Sequence, residues 1–275
     1  MIELPEAIVL SKEIDEALSG KQIKTVVAGH SPHKFAFFHP DEEDFQNLIV
    51  NSFITRSYNQ GGFVRVELSD DKNLLFSEGV RMRYLSEGEL LPKKHQLLIE
   101  FTDASSLVCS VQMYGFFAAF KKDDYDNKYV EAAKTKASPL SDEFNEAYFL
   151  QLIANSSDKL SLKAFLATEQ RIPGLGNGVL QDILFNAKLH PKKKLNSLDD
   201  KEKEKLFDSI KTTLQKMVDG GGRDTEQDIF GYPGNYKSIL SKNTVGKPCP
   251  ECNSLIQKQA YMGGSIYFCP TCQEL

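Results

Sequence analysis

Residues 162–191 read LKAFLATEQRIPGLGNGVLQDILFNAKLHP, two apolar-periodic stretches parted by a proline and three glycines within residues 172–178. That punctuation implies a helix, a glycine-rich turn and a second helix starting near Asn177. Gly174 and Gly176 present no side chain that would hold a charged backbone away from the amides at the helix start. There, unpaired N–H groups and the helix dipole favour a phosphate. The same glycines also suit the corner of an ordinary helical hairpin.

A second constraint lies near the C-terminus. Cys249-x2-Cys252, sixteen residues, then Cys269-x2-Cys272 is the spacing of a tetrahedral four-thiolate zinc site on two knuckles, holding one structural Zn2+. Two disulfides are the alternative. The absence of a secretory signal and the unpaired Cys109 in an apolar run count against them.

The Gly-Leu-Gly-Asn-Gly order, a helix closing on Leu189-His190-Pro191 and a finger ending Tyr267-Phe268-Cys269-Pro270-Thr271-Cys272-Gln273 resemble the formamidopyrimidine-DNA glycosylase and endonuclease VIII family. Glu3-Leu4-Pro5-Glu6 is similar to that family's N-terminal signature, so the resemblance spans nearly the whole chain. It implies an α+β fold: an N-terminal helix and β-sandwich lobe, then a helix-two-turn-helix lobe bearing a zinc-bound β-hairpin finger. The expected divisions are 1–132 for the first lobe, 133–142 for a linker, 143–240 for the helical domain and 241–275 for the finger. The implied activity is base excision repair of oxidised bases by a monomeric DNA glycosylase with abasic-site lyase activity. Its partner is damaged double-stranded DNA. Lys163, Gly174, Gly176 and Asn177 would grip the DNA backbone.

Composition permits this reading without demanding it. The chain has 275 residues, 41% hydrophobic and 26% charged, enough for two cored domains. No apolar run approaches the ~20 residues of a membrane span, so a cytoplasmic protein is expected. The net charge of −5 is unevenly shared: residues 151–275 hold 17 Lys+Arg against 14 Asp+Glu, leaving 16 against 24 in the first 150. DNA contact therefore falls to the second half, with modest, salt-sensitive affinity. The one basic run, Lys192-Lys193-Lys194, suits either a phosphate or a solvated helix end.

Along the chain, Pro5 suits the first turn of a helix carrying Ile8, Leu10, Ile14 and Leu18, with Gly20 as its stop. Short runs at 23–28, 35–38, 63–68, 97–101 and 107–113 are rich in branched and aromatic residues and read as strands of a sandwich or flattened barrel. His30, His33 and His39 read as surface or loop residues rather than a metal site. Helices are expected at 144–154, 160–167 and 199–217, the last with a solvated charged face. Residues 219–236 form a long glycine-bearing loop. In the resembled family such a loop covers the extruded base, which makes Arg223 and Tyr236 candidate contacts; a mobile connector is the alternative.

The candidate catalytic residues depart from the family. Its chemistry uses an N-terminal proline amine, whose pKa near ~8 leaves a neutral fraction to attack the sugar C1′. Here Ile2 takes that place. A methionine before so large a residue is expected to be retained, which turns the Ile2 nitrogen into an amide and leaves Met1 with a primary amine one residue further out. Glu3 and Glu6 are the retained carboxylates, suited to acid–base work or to stabilising an oxocarbenium ion, and equally to favouring a helix N-terminus. The family's hairpin lysine is replaced within Gln60-Gly61-Gly62, and its finger arginine aligns with Gly264. Gln112, Met113 and Tyr114 stand where the family fills the hole left by a flipped base; Met113 and Tyr114 also suit a strand that continues into the core. A zinc-bearing protein that recognises damaged or distorted duplex without cutting it is the second reading.

Overall fold

The computed structural model describes residues 1–77, 79–122 and 124–275. The chain divides into two compact units. One comprises Met1–Val130 and Gly220–Asn235, the other Glu131–Asp219 and Tyr236–Leu275. The loop expected to belong to the helical domain is thus largely part of the first unit, and the start of the linker expected at 133–142 is helical, the end of a helix, Lys128–Thr135, that crosses the division.

In the first unit, helix α1 (Leu4–Leu18) opens on a reciprocal capping box between Glu3 and Glu6, with Pro5 in its first turn. Such a box satisfies amides that a helix start otherwise leaves unpaired. Its buried stripe is Leu4, Ala7, Leu10, Ile14 and Leu18, spaced three or four apart, whereas Ile8 is half-buried. Gly20, at φ +84°, follows the helix end in a conformation that glycine adopts without strain.

Among the described residues nine strands follow: β1 (Ile23–Ala28), β2 (Ala36–His39), β3 (Ile54–Gln60), β4 (Phe63–Leu68), β5 (Lys72–Phe76), β6 (Val80–Leu85), β7 (Leu97–Phe101), β8 (Ser106–Val111) and β9 (Gly115–Lys121). Helix α2 (Glu42–Ile49) interrupts them after β2, its Asp41 side chain accepting from the Asp44 amide. Two sheets form, ordered β1-β7-β8-β6 and β2-β9-β5-β4-β3. All pairings are antiparallel except β2 with β9. The core includes Phe45, Phe76, Phe101 and Phe117, with the Phe38 and Phe117 rings stacked at 4.8 Å. The sandwich reading therefore holds. Cys109 is buried in that core.

The second unit contains α4 (Glu146–Ala154), α5 (Leu162–Ala167), α6 (Val179–Asn186) and α7 (Asp200–Asp219), after α3 (Lys128–Thr135). Helix α7 buries Leu206, Ile210, Leu214 and Met217 and leaves its charged face in solvent. A two-stranded hairpin, β10 (Gln257–Tyr261) and β11 (Gly264–Phe268), closes the chain. Among the described residues, no helix is long and apolar enough to cross a membrane.

Segment 220–235 is fastened to α1 by a carboxylate. Glu13 Oε2 accepts from the Ile229 amide at 3.1 Å, and burial pushes the Glu13 pKa up to about 7. A carboxyl with a raised folded-state pKa contributes stability at low pH that is lost as pH rises through the folded value. The melting temperature is expected to decline more between about pH 5 and about pH 8 in the natural protein than in Glu13→Gln, which keeps an acceptor for Ile229 and loses the titration. Thermal scans across that range check this; parallel curves would contradict it.

Candidate nucleic-acid interface

The glycine-rich turn and the finger meet within the second unit. Ser161 caps α5 by accepting from the Ala164 amide at 3.3 Å, and this aims Lys163 at the hairpin. The Lys163 Nζ donates to the Tyr261 carbonyl at 2.6 Å, and burial pushes its pKa down. On the other side of the turn, Asn177 Nδ2 donates to the Ser265 carbonyl at 3.0 Å. Gln181 extends the stitch: its amide nitrogen donates to the Asn177 carbonyl at 2.8 Å, and its oxygen accepts from the Tyr267 amide at 3.0 Å.

Gly264 sits at the centre of this meeting. A Cβ built there would lie 3.3 Å from Lys163 Nζ and 3.8 Å from Asn177 Nδ2. The missing side chain thus lets the Lys163 ammonium and the Asn177 amide lie close against the hairpin. Around the turn, Gly174 has φ +79°, and its N–H donates to Gln170 Oε1 at 2.9 Å. Its contribution is shape, not a free donor. The Gly176 and Asn177 amides precede α6, whose N-cap is Gly178.

Below the turn, Asp182 accepts from the Ile239 and Leu240 amides at 2.9 and 2.7 Å and from the Tyr236 hydroxyl at 3.1 Å. Tyr236 is therefore a strut of the second unit rather than part of an exposed loop. Of the basic run, Lys193 pairs with Glu202, Lys194 Nζ donates to the Lys159 carbonyl at 3.0 Å and Lys192 lies over the Tyr261 ring.

The four cysteine sulfurs lie within 4.8 Å of one another. Thiolates about 2.3 Å from a central ion in a tetrahedron stand about 3.8 Å apart. The Cys249 and Cys272 sulfurs are 3.8 Å apart and those of Cys252 and Cys269 3.3 Å, so the donor set and spacing suit one soft metal ion. Phe185, Leu240 and Ile256 pack against Cys249 and Cys269, and Gln273 joins the Cys269 amide to the Leu189 carbonyl.

The first unit carries the N-terminal candidates. Ile2 is buried. The Met1 amine pairs with Glu226, a residue that sequence reasoning passed over because 225 positions separate them. Arg223, expected at the base-covering surface, is instead buried: its Nε and Nη2 donate to Glu6 at 2.9 and 2.7 Å, and its Nη1 lies 3.5 Å from Glu3. The two carboxylates that burial would otherwise neutralise have a cation between them. Burial pushes the Glu6 pKa up, but the Arg223 guanidinium outweighs it and holds the carboxyl below its ordinary value. The exposed large apolar residues of this segment are Phe230 and Tyr232, on either side of Gly231. The aromatic-glycine-aromatic triplet was the signal available for them.

Met113 and Tyr114 are each 55% exposed and lie beyond the end of β8, so neither continues the strand into the core. Tyr114 packs on Phe35 at 4.3 Å between centroids. Gly79 permits the loop's approach, since a Cβ there would come within 1.5 Å of the Tyr114 carbonyl oxygen. With its amide oxygen turned to Arg81, Gln112 accepts from Nη2 at 2.5 Å and from Nε at 3.0 Å. Met1, Ile2, Glu6, Arg81, Gln112 and Glu226 border one small cavity of about 20 Å³, room for about one water. At the β3–β4 hairpin, Gln60 is buried and donates to the Val130 carbonyl at 3.0 Å. His30 stacks on His95 and, among the described residues, no histidine joins the metal-sized cluster.

A helix-two-turn-helix stitched to a four-cysteine hairpin, together with a sandwich whose N-terminal helix starts on paired glutamates, is the arrangement expected of the formamidopyrimidine-DNA glycosylase family, and the chain is similar to members of that family over its whole length. The sequence profile of the formamidopyrimidine-DNA glycosylase H2TH domain matches residues 136–228. A formamidopyrimidine-DNA glycosylase of Listeria innocua serovar 6a is 29% identical over 285 residues, covering 100% of both chains. One of Lactococcus lactis subsp. cremoris is 27% identical over 279 residues, again covering 100% of both. Among solved structures, the complex of Lactococcus lactis Fpg with DNA containing an abasic site superposes with a TM-score of 0.84 at 25% identity, covering 99% of this chain and 100% of that one. The complex of the same enzyme with DNA containing FAPY-dG gives 0.84 and 25% over 99% of this chain.

Removing the cation from a buried carboxylate pair leaves uncompensated charge, which costs about 3–5 kcal/mol. Arg223→Met is therefore expected to lower unfolding stability by about that amount, and adding Glu3→Gln with Glu6→Gln to recover much of it. Denaturant titration of the three variants checks this; a destabilisation that the added glutamines do not relieve would contradict the charge argument.

Proposed function

We propose that the protein binds damaged double-stranded DNA in the repair of oxidised bases, using a backbone-gripping surface like that of its family and an N-terminal site of altered chemistry. The observation that carries this reading is the convergence of Lys163 and Asn177 on the hairpin at Gly264, beside the Gly176 and Asn177 amides. An ammonium, a carboxamide and helix-start amides on one side of a unit suit a phosphate oxygen. The relatives solved with abasic and FAPY-dG DNA support the ligand class. The four-cysteine cluster suits one structural zinc, which would hold the hairpin that presents Tyr261 and Ser265.

For glycosylase and lyase chemistry, the amine that stands at the site is that of Met1, beside Glu226; the Ile2 nitrogen is an amide. A carboxylate next to an amine can receive its proton before the amine attacks the sugar C1′. The second reading, a binder that does not cut, is favoured by one specific observation. Glu3 and Glu6 are buried against Arg223, which ties up the carboxylates that the chemistry would use.

Borohydride trapping on abasic duplex separates the two readings. A covalent adduct on the N-terminal peptide, lost when that amine is blocked by acetylation, supports imine chemistry. No adduct, under conditions where a family control is trapped, leaves the binding function alone. For the surface itself, Asn177→Ala and Gly176→Glu are expected to weaken abasic-duplex affinity about tenfold or more at low salt, the loss of one charge-assisted contact or the addition of a repelling charge. Unchanged affinity in both, with elemental analysis still giving one zinc per chain, would reject the phosphate-gripping assignment.

A further inference from the structure

The outward face of the β1-β7-β8-β6 sheet carries a groove that the reading given above leaves without a role. The segment after β6 folds beside β6 and β8 and leaves a groove of about 570 Å³, the volume range of a ligand pocket. Arg83 and Val108 face each other across β6 and β8 on its floor, and Leu90, 93% exposed, stands with Lys94 and Glu89 along its wall. Leu85, Leu98 and Val108 form an apolar cluster of their own there, separate from the main core.

The charge of this groove runs against that of the first 150 residues, which carry 24 acidic and 16 basic side chains. Among the described residues, its lining includes Arg81, Arg83 and Lys94 against one acid, Glu89. Arg81 is occupied by Gln112, but the Arg83 guanidinium has no hydrogen-bond or ion-pair partner among the described residues. Arg83 is half-buried and packs against Gly231, where a Cβ would come within 1.3 Å of its Nη1. A guanidinium held in place without an acceptor is a receptor for a carboxylate or a phosphate.

The remaining lining decides between those two. Among the described residues no aromatic ring lines the groove, so an unstacked nucleobase has no platform there, and a phosphate backbone gains nothing from Leu90 or Val108. An extended acidic peptide that carries an aliphatic side chain uses both the cations and the apolar floor. We propose that this groove is a docking site for an acidic, leucine-bearing segment of a partner protein. The site is independent of the reading given above for DNA.

The test uses the full chain and a short fluorescein-labelled peptide that alternates Asp and Glu with Leu. Fluorescence anisotropy is expected to show saturable binding that weakens with added salt. Lys94→Glu and Arg83→Gln are each expected to weaken it about fivefold or more, and Leu90→Ser to weaken it with little change in salt dependence. Lys94 is exposed, so Lys94→Glu is expected to melt at the natural protein's temperature and to bind abasic duplex as well as before. Three results would overturn the proposal: no saturable peptide binding, equal binding of a leucine-free acidic peptide, or a single-stranded oligonucleotide that is sensitive to Lys94→Glu while the peptide is not.

Discussion

The hydrogen bonds that stitch the hairpin to the glycine-rich turn are the constraint on which the candidate interface depends. Asn177 and Gln181 reach one strand of the hairpin and Lys163 reaches the other, and each uses a side-chain group to satisfy a backbone group of the finger. A two-stranded hairpin alone is marginal in water. Here it is held at one end by four sulfurs and along its length by the turn. The turn in turn gains from the finger a fixed position for Lys163, which would otherwise be a flexible surface lysine. Gly264 fits this arrangement: with no side chain of its own, it lets the Lys163 ammonium and the Asn177 amide lie close against the hairpin.

The first unit solves a different electrostatic problem. Two glutamates at the start of α1 are buried, and buried carboxylates without a cation would be driven neutral. Arg223 supplies the cation from a segment far along the chain, and the same segment supplies Glu226 to the Met1 amine and the Ile229 amide to Glu13. Segment 220–235 is thereby a component of the N-terminal unit. Beside this segment Ile2 is buried, and the Met1 amine is held by the Glu226 carboxylate.

What the sequence disclosed follows from how local the signals are. The cysteine pairs, the glycine turn, Pro5 and the alternating runs at 23–28, 63–68 and 97–101 act within a few residues, and the elements they mark are present. Strands β3, β5 and β9 escape a sequence reading because their apolar residues do not alternate, whereas β6, in which Val80, Met82 and Tyr84 do alternate, and the short helix α2 carry a signal that the reading passes over. The misreadings share one cause. Arg223 looked like a loop cation because its partners, Glu3 and Glu6, lie more than two hundred residues away. Tyr236 reads as a candidate base contact because the acid that holds it, Asp182, lies far off in sequence on α6. Met113 looked like a strand residue because nothing local says that β8 ends at Val111, where Gly79 lets the next loop fold back.

The central claim is that the metal-held hairpin and the glycine-rich turn act as one DNA-gripping surface. Chelator titration that follows zinc content and abasic-duplex affinity on the same sample tests it most directly. The account requires affinity to fall in step with zinc loss, and to return when zinc is restored. A metal-free chain that binds the duplex as tightly as the zinc-loaded one would contradict it.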